Sequence, residues 1–82
     1  MLDVKEAAQR ASEYFANLYA DRDVSNMQLE EVELSDDGKY WLITLSYPDH
    51  AAFLTSFKRK YKVFTIDAAT GEVKSMKIRT VE

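Results

Sequence analysis

The chain has 82 residues, 46% of them hydrophobic and 30% charged, with 11 Lys/Arg against 14 Asp/Glu and a formal net charge of −3 at pH 7, which suits one small globular domain. Two Gly, one Pro and no Cys exclude collagen-like and low-complexity chains, disulfides, thiolate metal sites and cysteine nucleophiles, leaving the hydrophobic core as the only staple. No apolar run approaches the roughly 18 residues of a membrane helix, and the opening MLDVKEAAQR is acidic where a signal peptide needs a basic start, so a cytoplasmic protein with no membrane association is expected.

Charge is segregated along the chain. Residues 1–57 hold 4 Lys/Arg against 11 Asp/Glu, a balance of −7, whereas residues 58–82 hold 7 against 3, a balance of +4. An acidic body with a basic C-terminal third gives a surface able to select partners by sign.

The first element is a helix. Val4, Ala7, Ala8, Ala11, Tyr14, Phe15, Leu18 and Tyr19 fall at three-and-four spacing on one face, with Lys5, Gln9, Arg10, Ser12, Glu13 and Asn17 mainly on the other. Asp3 with Glu6 three residues on reads as a capping box that fixes the helix start. After Ala20 the helical period is lost, and residues 21–26 read as a loop.

The period then changes to two. A first strand runs from Met27 to Ser35, but Met27 and Leu29 alternate in one phase and Val32 and Leu34 in the other, so a β-bulge near Glu30-Glu31 is expected. Asp36-Asp37-Gly38 reads as a tight turn. A second strand, Lys39 to Tyr47, places Trp41, Ile43, Leu45 and Tyr47 on a core face and Tyr40, Leu42, Thr44 and Ser46 on the other. Pro48 ends it, and Asp49 can cap a short helical turn through Ala51 to Leu54.

A third strand runs from about Arg59 to Asp67, and a fourth from Glu72 to about Thr80, joined by the turn Asp67-Ala68-Ala69-Thr70-Gly71. If that turn sets Ile66 opposite Val73, Val63 faces Met76 and Tyr61 faces Ile78 on an inward apolar face. Lys62 then faces Lys77, and Lys60 faces Arg79, on the outer one. Glu31 and Glu33 would share that outer face, yet on strand one they lie too far away in a simple meander to answer these cations. The expected architecture is α+β: one N-terminal amphipathic helix packed on a four-stranded antiparallel sheet, a single domain over residues 1–82.

The closing hairpin carries a resemblance. Asp67-Ala68-Ala69-Thr70-Gly71-Glu72-Val73, preceded by Tyr61-Lys62-Val63-Phe64-Thr65-Ile66, resembles the last hairpin of PepSY-type domains, which read aromatic, alternating apolar, then D-A-x-T-G-E-V. The helix with Ala7, Ala8 and Ala11 is similar to the alanine-bearing helix that opens that family, and the order helix, hairpin, hairpin matches. The resemblance implies a small non-catalytic module, similar to propeptide domains that bind or inhibit peptidases, on a cystatin-like half-wrap of sheet around helix.

No enzyme, metal or cofactor chemistry emerges from the residues. His50 is the sole histidine, and Asp49 alone does not supply the converging partners a catalytic or metal site needs, so it reads as a loop residue. Asp36 and Asp37 lack the spaced oxygen ligands of a calcium loop, the serines lack a base and acid, and two isolated glycines cannot build a phosphate loop. Tyr14, Phe15, Tyr19, Trp41, Tyr47, Phe53 and Phe57 read as core packing before they read as a ligand pocket. The candidate binding residues are the basic set Lys58, Arg59, Lys60, Lys62, Lys74, Lys77 and Arg79. They point to a small binding or inhibitory module acting through its outer sheet face or its edge strand four, with an acidic protein or a second copy as partner. Nucleic acid on the same basic face of strands three and four, with Tyr61 and Phe64 interleaved, is the alternative.

Overall fold

The computed structural model describes residues 1–19, 27–48 and 59–79. Helix α1 (Val4–Leu18) is followed by β1 (Gln28–Leu34), β2 (Tyr40–Pro48), β3 (Arg59–Asp67) and β4 (Val73–Arg79). The strands form one antiparallel meander in the order β1-β2-β3-β4, the α+β arrangement the periodicity predicts. The loop expected over residues 21–26 and the turn expected after Pro48, with His50, Phe53 and Phe57, lie outside the described residues.

Local chemistry sets the helix start. Asp3 accepts the Glu6 N–H at 2.8 Å, while the Glu6 carboxylate accepts the Asp3 N–H at 3.3 Å, so the capping box closes in both directions. The face at Ala7, Ala11 and Phe15 is buried against Ile43, Leu45, Phe64 and Ile66. Two alanines let the helix approach the sheet closely, and Phe15 then fills the wider gap, its ring 4.9 Å from Tyr47, 4.8 Å from Tyr19 and edge-on to Phe64 at 6.2 Å. Each of the large core side chains stabilises the fold by roughly 1.5–3 kcal/mol through removal from water.

The helix crosses the sheet on a diagonal. Its start is tied to the β3–β4 turn, Leu2 N–H donating to Ala68 C=O at 2.7 Å, and the Trp41 indole N–H donates to Leu2 C=O at 3.0 Å. At its far end Tyr19 packs against the same core, as do Met27 and Tyr47 from the sheet side. A single helix so placed cannot cover four strands. Val73 and Met76 of β4 pack against the core, but other helix-facing side chains of the edge strands stay in water, at 52% exposure for Leu29, 43% for Val32, 37% for Leu34 and 79% for Ile78.

Two one-residue bulges shape the edges. On β1 the pairing steps from Leu29↔Leu45 to Glu31↔Thr44, so Glu30 is the extra residue, at the place the phase change in the sequence predicts. On β4 it steps from Ile66↔Val73 to Thr65↔Ser75, leaving Lys74 as the extra residue. That second bulge corrects the expected register. Ile66 does oppose Val73, but beyond it Phe64 opposes Met76, Val63 opposes Lys77, Lys62 opposes Ile78 and Tyr61 opposes Arg79. Tyr61 and Val63 therefore lie on the outer face with Ser46 and Thr44, and Lys62 turns to the helix side. The physical reason is the core: burying Phe64 removes more apolar area than burying Val63, and a shift of one residue exchanges the two faces.

Candidate interaction surface on the sheet

The face away from the helix is organised by two rows of polar contacts crossing the strands. In the first, the Ser46 hydroxyl, wholly shielded from solvent, donates to Glu30 Oε2 at 2.6 Å and accepts from Arg59 Nε at 2.9 Å. Arg59 Nη2 also donates to the Ser46 carbonyl at 3.1 Å. In the second, Arg79 Nη1 meets Glu31 Oε1 at 2.8 Å and donates to the buried Thr44 Oγ1 at 3.1 Å. Each row joins an acid of β1, a hydroxyl of β2 and an arginine of β3 or β4. The Glu31–Arg79 pair is half in water and contributes little by itself, about 0.2–1 kcal/mol. Together the arginine stems cover the hydroxyls, giving each a charge-assisted partner.

These rows overturn the expectation that β1 lies too far away to answer the cations. The Arg79 side chain spans β3 beside Val63, a short side chain, and arrives at Glu31. Glu31, Glu33, Leu42, Thr44, Val63 and Arg79 line one shallow groove of about 290 Å³.

The seven candidate cations are divided by the fold. Arg59, Lys60, Lys62 and Arg79 line a second shallow groove, also about 290 Å³, together with Tyr47, Tyr61 and Ile78 at the far end of β3 and β4. Lys77 is exposed on the outer face of β4. Lys74 occupies the bulge and binds Glu72 at 3.1 Å; the hydrogen bond and charge of that carboxylate push its ammonium pKa up. The expected pairings Lys62 with Lys77 and Lys60 with Arg79 do not occur, for the register places Val63 and Tyr61 there instead. Lys58 lies outside the described residues. What the sequence reading missed, the acid–hydroxyl–arginine rows, had a signal in the polar phase of β2, where Thr44 and Ser46 sit in the middle of the strand least exposed to water.

Among the described residues the sheet ends at β4, which pairs with β3 alone. Asp67 N–H donates to Glu72 C=O at 2.8 Å, and alternation along the antiparallel ladder then turns the backbone groups of Val63 toward β4 and of Lys77 toward β3. The N–H and C=O of Met76 and Ile78 consequently point off the free edge. The turn leading into the strand is rigidly built: Asp67 Oδ1 accepts the N–H of Ala69 at 2.8 Å and of Thr70 at 3.0 Å, and those bonds, that of Thr70 foremost, hold its carboxyl below the usual aspartate range.

Among the described residues no group of three or more His, Cys, Asp or Glu is placed to hold a metal ion, and no helix is long and apolar enough to cross a membrane. No family model, curated protein or solved structure matches the chain.

Proposed function

We propose that the chain is a small non-catalytic protein-binding or inhibitory module that takes an extended, acidic segment of a partner onto the free edge of β4. The observation that carries this reading is the coincidence of an open edge with cations: Met76 and Ile78 offer backbone groups, Ile78 an exposed apolar side chain, Lys77 a charge on the outer face, and the groove containing Lys60 and Lys62 adjoins the end of the strand. Main-chain pairing supplies affinity in such strand addition, and the flanking side chains choose the partner. The resemblance of the closing hairpin to PepSY-type domains, where small modules bind or inhibit peptidases, supports the same class of activity.

Nucleic acid is the competing reading, and one observation favours it: Tyr61 stands on the outer face, where a base could stack on it. Against it, Arg79 is held by Glu31 and Thr44, and Arg59 by Ser46, so two of the cations a phosphate backbone would need are already engaged with the protein.

The test is a nuclear magnetic resonance titration of the labelled chain with a synthetic peptide alternating Val and Glu, alongside a single-stranded oligonucleotide. The proposal expects amide shifts centred on Val73–Arg79, slowed exchange at Met76 and Ile78, and weaker binding to Lys77→Glu. Absence of shifts on β4, or peptide binding indifferent to Lys77→Glu, overturns it; oligonucleotide binding that falls steeply with salt replaces it with the second reading.

A further inference from the structure

Among the described residues the sheet has a second open edge, β1, whose chemistry is the inverse of β4. Val32 and Leu34 line its helix-facing side, both substantially exposed, and Glu31 and Glu33 its outer side. Glu33 has no hydrogen bond or ion pair among the described residues, and neither does Lys77 on β4. The backbone is in phase as well. Ser35 N–H donates to Tyr40 C=O at 2.8 Å, so by alternation Glu33 and Glu31 direct their backbone groups to β2, and Val32 and Leu34 direct theirs off the edge.

Resting on the proposed role of β4, we infer that the acidic strand it receives is β1 of a second copy of this chain. The copies pair antiparallel, with Val32 opposite Ile78 and Leu34 opposite Met76 on the helix side, and Glu33 opposite Lys77 and Glu31 opposite Arg79 on the outer side. In this one register three independent requirements agree. The outward-pointing backbone groups of Val32 and Leu34 meet those of Ile78 and Met76, exposed apolar side chains meet apolar side chains, and Glu33 meets Lys77, both unpaired among the described residues, while Arg79 stays with the Glu31 of its own chain. Ile78, the most exposed of these apolar side chains, gains a cover that the diagonal helix cannot give it.

The symmetric alternatives fail on charge. Pairing β1 with β1 in a phase that satisfies the backbone sets Glu31 against Glu33 or Glu33 against itself, or leaves Glu33 opposite Ser35 with no base to meet it. Pairing β4 with β4 sets Lys77 against itself or against Arg79, or leaves it opposite Ser75 with no acid to meet it. Like charges directly opposite are unfavourable. The contact is therefore head-to-tail, and a pair of copies keeps a free β1 on one member and a free β4 on the other for further copies.

Sedimentation velocity from micromolar to millimolar protein tests this. The wild-type chain is expected to self-associate beyond a dimer, less so at high salt. Glu33→Lys and Lys77→Glu are each expected to be monomeric with an unchanged circular dichroism spectrum. Both positions are exposed and unpaired among the described residues, so folding is retained. An equimolar mixture of the two variants is expected to recover the association that neither shows alone. A wild-type chain that stays monomeric throughout, or a Lys77→Glu variant that assembles like wild type, overturns the inference. If the Val/Glu peptide still binds β4 of a monomeric wild-type chain, the proposed function stands and only the partner falls; if the peptide fails too, both fall.

Discussion

Substituting Ser46 by Ala tests the polar row at its narrowest point. The hydroxyl is inaccessible to solvent, donating to Glu30 at 2.6 Å and accepting from Arg59 at 2.9 Å. Alanine keeps the Cβ and the carbonyl that receives Arg59 Nη2, so the loss is confined to one oxygen and two charge-assisted hydrogen bonds. Such bonds are worth roughly 1.5–3 kcal/mol each where their partners stay buried. Glu30 is exposed and water replaces its lost donor, which leaves a net cost of about 1–2 kcal/mol. With a urea m-value of about 1 kcal/mol/M for a chain this size, the unfolding midpoint falls by roughly 1–2 M. Thr44→Val removes a single acceptor from Arg79, which keeps Glu31, and costs less, about 0.5–1 kcal/mol. A Ser46→Ala midpoint indistinguishable from wild type, or a larger loss for Thr44→Val, would refute the claim that the rows hold the outer face together.

Three further perturbations probe the scaffold. Phe64→Ala empties the centre of the core, where the ring is fully buried against Phe15 and Ile43, and is expected to cost about 3–5 kcal/mol by denaturant unfolding. Gly38 and Gly71 both have positive φ, 72° and 79°; alanine at Gly38 meets nothing within 4 Å, whereas at Gly71 its Cβ would stand 3.0 Å from Leu2 and 3.2 Å from Arg10. Gly38→Ala should therefore cost only the left-handed penalty, about 1 kcal/mol, and Gly71→Ala measurably more; equal losses would show that the helix start gives way freely. Asp67 has its carboxyl held below the usual aspartate range by the turn amides. The stability it contributes is thus complete above an unfolded value of about 4 and is lost as pH falls through the lowered folded value. Acid unfolding of Asp67→Asn, followed by circular dichroism, should show a shallower decline over that window than wild type.

Much of the fold was legible because period and punctuation agreed. Asp3 and Glu6 fix the helix start, Gly38 and Gly71 the turns, and the phase slip at Glu30 the first bulge. The second bulge was not legible, because Val63 and Phe64 are both apolar and both could face inward. Only the competition for one place beneath Phe15 decides between them, and that is a property of packing rather than of strand pattern. For the same reason the spacing of the candidate cations does not show how the fold divides them. Their neighbours across the sheet depend on a shift of one residue, and the reach of Arg79 across β3 to Glu31 is a tertiary fact with no trace in local spacing.

The charge segregation of the chain gains a structural meaning from these contacts. Glu31 and Glu33 of β1 and Lys77 and Arg79 of β4 are brought onto one face by the meander, which sets β1 and β4 at opposite edges. Two arginines are long enough to close that separation, Arg59 through Ser46 to Glu30 and Arg79 directly to Glu31. Among the described residues Glu33 and Lys77 are left unanswered, each pointing from its own edge with no long partner beside it. A charge of each sign left at opposite edges, next to exposed apolar side chains and outward backbone groups, cannot be satisfied within one sheet of four strands. It can be satisfied by a neighbouring strand, and the strand of matching charge, apolar phase and backbone phase is already encoded at the other edge of the same chain.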